Sequence, residues 1–235
     1  MVDAAIADNL RRVQSRIDAA ARRAGRDPAE VLLIAVSKTF NADHVRAARA
    51  AGHRDFGENK VQEGLQKSAD LADKEIRWHL IGHLQSNKAR KAAAGFACIH
   101  SVDSVDLVQK LDTAADEQGM APEILVQVDL AGESTKFGAP ADEARRVLDA
   151  GLEARALRVA GLMLIPPWNE DQEQTRPWFA RLAALRAAWV AEGLPASALR
   201  HLSMGMSHDF EAAVEEGATL VRVGTAIFGK RTVRA

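Results

Sequence analysis

Apolar positions along this chain follow two rhythms that alternate from one end to the other. Short runs rich in β-branched residues recur at 31–36, 54–58, 77–82, 97–102, 123–130, 157–164, 199–204 and 219–224, and each reads as a strand. Between them lie stretches whose apolar residues stand three and four apart among many Ala, Leu, Glu and Arg, notably 104–119, 141–151, 174–193 and 208–217. That spacing predicts helices. The first of these carries its own punctuation, with Ser104 placed as an N-cap and Gly119 as a C-cap.

Strands that alternate with helices imply a parallel sheet with helical crossovers. Eight units of roughly 25–30 residues predict a closed (β/α)8 barrel of the TIM type, slightly shorter than the usual ~250 residues. The helical pattern before the first strand is an extra N-terminal helix, expected to cover the barrel floor. An open doubly wound sheet is the competing architecture, but no GxGxxG follows the first strand. No Pro/Gly/Ser linker, low-complexity tract or long charge run interrupts the chain, so residues 1–235 are expected to form one domain.

Charge and composition narrow the partners. Lys plus Arg (31) and Asp plus Glu (32) nearly cancel in 235 residues, which argues against nucleic acid and anionic membranes and for small molecules or proteins. Cys98, the single cysteine, cannot form an internal disulfide and fits a reducing compartment. Its apolar setting, "FACIH", favours a buried structural thiol over a nucleophile. The first 25 residues mix acids with arginines, unlike a signal peptide, and no run approaches the roughly 20 apolar residues of a membrane span. A cytoplasmic monomer is expected.

The segment "GTAIFGKR" from Gly224 imitates a P-loop. Arg231 replaces the hydroxyl residue, and the four residues after it leave no helix to hold phosphates, so that reading is rejected. A phosphate site of another kind remains. In such barrels the loops after the seventh and eighth strands frequently bind phosphate, and here they read "HLSMGMSHD" and "VGTAIFG". Gly224 leaves the backbone open to a ligand, while Ser203 and Thr225 offer hydroxyls. Either loop alone is as easily an ordinary turn; their joint placement favours phosphate.

Two cations point to the same end of the barrel. Lys38 follows the six apolar residues of the first strand, at the carboxyl end where barrel active sites lie. A lysine in a partly dry pocket loses its proton more readily and can form a Schiff base with a carbonyl, although taken alone Lys38 reads more simply as the wet end of the strand. Arg222 alternates with Val221 and Val223, so valines packed on helices turn the guanidinium into the barrel. There it needs an acceptor, from a neighbouring strand or from a ligand. A phosphorylated carbonyl compound with a ring nitrogen would use all three features, and pyridoxal 5'-phosphate is such a compound.

These residues resemble a known family, the pyridoxal phosphate homeostasis proteins. Its blocks stand here in order as "AVSKTF", "FGENKVQE", "WHLIGHLQSNKAR", "HSVDS", "GESTKFG", "GLMLIPP" and "LSMGMSHDFEAAVEEGATLVRVGTAIFG". The resemblance implies a barrel similar to the N-terminal domain of alanine racemases. It implies Lys38 as the Schiff-base lysine, Ser203, Met204, Gly224 and Thr225 around the phosphate, Arg222 near the pyridine nitrogen, and Asn59 and His83 near the cofactor. Lys136 is a further lysine that would handle the cofactor in transit. Lys60 and His208 depart from the residues that family members often carry there.

Alanine racemases pair a lysine with a tyrosine across the substrate, and this chain has no tyrosine. Nor does the sequence show the residues of a racemase's second domain. Arginine beside the ring nitrogen opposes its protonation and weakens the ring as an electron sink. The expected function is therefore reversible binding, buffering and delivery of pyridoxal phosphate to apo-enzymes, without turnover. A pyridoxal-phosphate-dependent racemase is the alternative. His79 and His83, Lys88 with Arg90 and Lys91, and Trp178 with Trp189 are expected to serve structure rather than chemistry.

Overall fold

The computed structural model describes residues 2–132 and 137–229. Its elements run α1 (Val2–Arg23), β1 (Leu32–Val36), α2 (Ala42–Ala50), β2 (Asp55–Glu58), α3 (Val61–Leu71), β3 (Arg77–Leu80), α4 (Ala89–Gly95), β4 (Cys98–Val102), α5 (Val105–Gln118) and β5 (Glu123–Gln127). They continue as α6 (Ala141–Glu153), β6 (Arg158–Met163), α7 (Arg176–Ala191), β7 (His201–Met206), α8 (Phe210–Glu215), β8 (Leu220–Val223) and α9 (Thr225–Phe228). The strands pair in parallel in chain order, and β8 returns to β1 to close the barrel.

All eight expected strands form, because each apolar run is too short for a helix and is bounded by turn residues. The capping signals of α5 hold as read: Ser104 accepts from the Leu107 N–H, and Gly119 adopts the left-handed C-cap conformation.

Side chains sort by the two-residue period of the strands. Leu33, Ala35, Trp78, Leu80, Ile99, Ile124, Val126, Leu202, Val221 and Val223 face outward into a continuous apolar layer beneath the helices. Ile34, Cys98, Leu125, Ala160, Met163 and Leu220 form a smaller cluster inside the barrel. These side chains fill part of the barrel interior. Cys98 sits in this inner cluster, where burial pushes its thiol pKa up.

One expectation is corrected. Helix α1 does not cover the floor but lies in the outer ring between α2 and α8. Arg16 and Arg23 pair with Glu211 and Glu215 of α8, and Asn9 donates to the Ile227 carbonyl of α9. The short α9 cannot cover the flank of β8 by itself, and the apolar stripe Ile6, Leu10, Val13 and Ile17 of α1 fills that place. Among the described residues no helix is long and apolar enough to cross a membrane.

Candidate functional site

At the carboxyl ends of the strands opens a cavity of about 500 Å³, within the range of small-molecule sites. Lys38, Asn59, His83, Arg222, Gly224 and Thr225 all line it. Strand β8 and the segments after β1, β2, β3 and β8 thus bring six of the expected site residues to one cavity.

Lys38 stands in a clamped turn. The Phe40 N–H donates to the Ser37 carbonyl at 3.1 Å, closing a four-residue turn over Lys38 and Thr39. Thr39 has φ 70°, a left-handed conformation costly for a β-branched residue. Its N–H donates to Glu63 Oε1 at 2.6 Å. Beneath, the buried Lys67 ammonium donates to the Ser37 carbonyl, Glu58 Oε1 and Glu63 Oε1 at 2.8, 2.7 and 2.8 Å. Burial raises the pKa of Glu58 despite the hydrogen bonds from Lys67 and Ser37. For Glu63 burial pulls the same way, but donation from Lys67 and the Thr39 N–H prevails and lowers it.

The floor carries Arg222, which is 3% exposed. Its Nη1 donates to Ser203 Oγ at 2.6 Å and its Nη2 to the Leu164 carbonyl at 3.0 Å. Burial lowers its pKa to about 10 against the support of Asp209, which leaves it cationic at neutral pH.

Ser203 and Met204, expected around the phosphate, are not among the residues that line this cavity. Ser203 Oγ is fully buried between Arg222 and His100, and Met204 packs outward with the helices. Strand β7 runs on to Met206, with a register irregularity against β8 between Ser203 and Met206. The loop therefore begins two residues later, and Met206, Ser207 and His208 reach the cavity instead. Ser207 Oγ accepts from the Gly224 N–H at 3.1 Å and joins the two loops. Beyond it, the first N–H groups of α9 have no acceptor within their own helix.

Two glycines stand in close approach to neighbouring backbone. A Cβ on Gly224 would stand 3.1 Å from the Val36 carbonyl oxygen, a tight contact that strand β1 would have to yield to by a few tenths of an ångström. One on Gly82 would lie 2.3 Å from the Asn59 carbonyl oxygen. Gly82 thereby lets the Asn59 backbone press against the end of β3.

At the rim His83 stacks on Phe137 with centroids 3.6 Å apart and lies 3.7 Å from Asp103. Trp168 stacks near His208 at 6.5 Å. Gln127, at the end of β5, donates to the Phe137 carbonyl at 2.6 Å and anchors this side. His79 and His83 do not act together: His79 is buried inside the barrel and His83 is at its mouth. Of the tryptophans, Trp189 is buried and Trp178 packs against the core. Lys136 and Lys230 lie outside the described residues.

The alanine racemase N-terminal domain model matches residues 4–232. The chain is similar to the pyridoxal phosphate homeostasis protein of Pseudomonas aeruginosa, at 46% identity over 227 residues and 96% of each chain. The same-named protein of Aquifex aeolicus is 41% identical over 224 residues, covering 95% of this chain and 97% of its own.

The chain belongs to the pyridoxal phosphate homeostasis family.

A solved member of that family's fold, PipY of Synechococcus elongatus with pyridoxal phosphate bound, superposes with a TM-score of 0.84 at 42% identity. It covers 95% of this chain and all of PipY. These homeostasis proteins are named for a cofactor's balance and not for a reaction.

Proposed function

We propose that this protein binds pyridoxal 5'-phosphate through a Schiff base with Lys38 and buffers or delivers it to apo-enzymes, without turnover of its own. The observation that carries the proposal is the convergence of Lys38, Arg222, Ser207 and Thr225 on one cavity. The donor set fits the cofactor. Lys38 offers an amine to the aldehyde, Ser207, Thr225 and the N-terminal amides of α9 offer donors to a phosphate, and Arg222 offers N–H groups to an acceptor on the ring. When bound, the cofactor supplies an electrophilic carbon and a conjugated ring.

What the residues around it do favours a carrier. A permanent cation under the ring opposes protonation of its nitrogen, so Arg222 limits the electron withdrawal on which amino-acid chemistry depends. No tyrosine exists to act as an acid or base on the second face. The clamp beneath Lys38 fixes the backbone on either side of it.

Titration of the purified protein with pyridoxal phosphate tests the proposal. A visible absorption band should grow to saturation and be absent in Lys38→Ala, with no racemisation or ammonia release from amino acids in either. An equal band in Lys38→Ala would refute the attachment. Amino-acid turnover abolished by Lys38→Ala would refute the carrier role and establish an enzyme.

A further inference from the structure

Arg222 leads into a line of hydrogen bonds that crosses the barrel interior. Its Nη1 donates to Ser203 Oγ at 2.6 Å; Ser203 Oγ lies 2.8 Å from His100 Nδ1. His100 Nε2 lies 3.0 Å from His79 Nδ1, and His79 Nε2 lies 3.1 Å from Asp55 Oδ1. The five residues come from β8, β7, β4, β3 and β2 and are at most 8% exposed.

The two ends determine every proton between them. A guanidinium only donates, so Ser203 must accept, and its single hydrogen is left for His100 Nδ1. Burial, the neighbouring His79 and Arg222 hold the His100 pKa well below the ordinary value, so the ring is neutral and carries its proton on Nε2. That proton goes to His79 Nδ1. The carboxylate at the far end requires a proton on His79 Nε2. All the dipoles then point one way, from a buried cation to a buried anion, and each bond polarises the next.

We propose that Asp55, His79, His100 and Ser203 are positioning residues that replace a direct carboxylate partner for Arg222 and hold its free N–H groups toward the cavity. A carboxylate touching the guanidinium would compete with a ligand for those donors. The relay's own carboxylate stands three side chains away, and Asp209, which supports the cation through space, accepts from the Met206 N–H.

His79, His100 and Cys98 also bring ligand atoms within 4.8 Å of one another. A metal there would have to break the His79–His100 contact and deprotonate a thiol whose pKa burial has raised. The relay accounts for the same histidines without either cost.

The proposal rests on the cofactor reading only for its ligand arm, so the two tests fail separately. Long-range proton–nitrogen NMR of the ligand-free protein at neutral pH, assigned with His100→Gln and His79→Gln, should show both histidines bare at Nδ1 and protonated at Nε2. A proton on His100 Nδ1, or a doubly protonated His79, would overturn the relay whether or not the cofactor binds. In the ligand arm, His100→Leu should weaken pyridoxal phosphate binding about tenfold, the loss of one hydrogen bond to a charged group, and shift the absorption maximum of the complex. His100→Gln, which can accept from Ser203 and donate to His79, should retain both. The relay is refuted if His100→Leu matches the wild type, or if His100→Gln loses as much as His100→Leu. Should His100→Leu fail to fold, the NMR result on the wild type still decides.

Discussion

Removing the ammonium of Lys67 tests the clamp under Lys38. In Lys67→Met the side chain keeps its apolar stem, but Glu58 Oε1 retains only the Ser37 hydroxyl at 2.6 Å. Glu58 Oε2, which already has no partner among the described residues, then shares its burial with an unneutralised charge. Taking one member from a buried ion pair costs about 3–5 kcal/mol. A chain of this size loses about 2–4 °C in Tm per kcal/mol, which gives a fall of about 6–20 °C. The pH dependence follows from Glu58. Burial holds its folded-state pKa above the ordinary value even with Lys67 present, and the raise is larger without it. A raised carboxyl contributes stability below its unfolded pKa and loses that contribution as pH rises through the folded value. The variant's deficit should therefore be smaller in mild acid than at neutral pH. Thermal and urea denaturation of both proteins across that interval measure it. A neutral-pH deficit under about 1 kcal/mol, the range of exposed ion pairs, or a deficit independent of pH, would refute the reasoning.

Further outcomes follow from particular contacts. Gly82→Ala sets a methyl 2.3 Å from the Asn59 carbonyl oxygen; it should cost about 1–3 kcal/mol in urea unfolding and weaken ligand binding by displacing that wall. Thr39→Gly relieves a left-handed β-branched residue and should raise stability by about 1 kcal/mol while leaving Lys38 free to wander, read as weaker cofactor binding in a more stable protein. Burial holds His100 well below its ordinary pKa and His201 at about 4. Depressed groups give stability that is present above the unfolded pKa and lost as pH falls, so acidification from neutral should destabilise the fold, and His100→Gln should flatten that slope. Ser104→Ala removes the cap of α5 and should cost about 1 kcal/mol, with binding unchanged.

The barrel was legible because its strands announce themselves as β-branched runs between polar helices, and no tertiary contact was needed to count them. Lys38 and Arg222 were legible for a related reason: strand ends and the two-residue alternation fix where a side chain points. The placement of Ser203 and Met204 away from the cavity lining has the same root. Alternation does predict that Ser203 faces inward, but its depth depends on where β7 stops, and the left-handed Gly205 and the register irregularity beside it carry the loop to Met206 and Ser207. The Lys67 clamp was not legible. Glu63 and Lys67 read as an ordinary i, i+4 surface pair, and only the arrival of Glu58 and Ser37 from two strands buries it. The histidine relay likewise exists only once β2, β3, β4, β7 and β8 close around one interior. Helix α1 was misplaced because a helical pattern shows which face is apolar and not which neighbour covers it.

The attachment point is tested most directly by borohydride reduction of the protein saturated with pyridoxal phosphate, followed by mass spectrometry of its peptides. A single adduct on Lys38 is the predicted result. An adduct confined to another lysine, or none at saturation, would contradict the account.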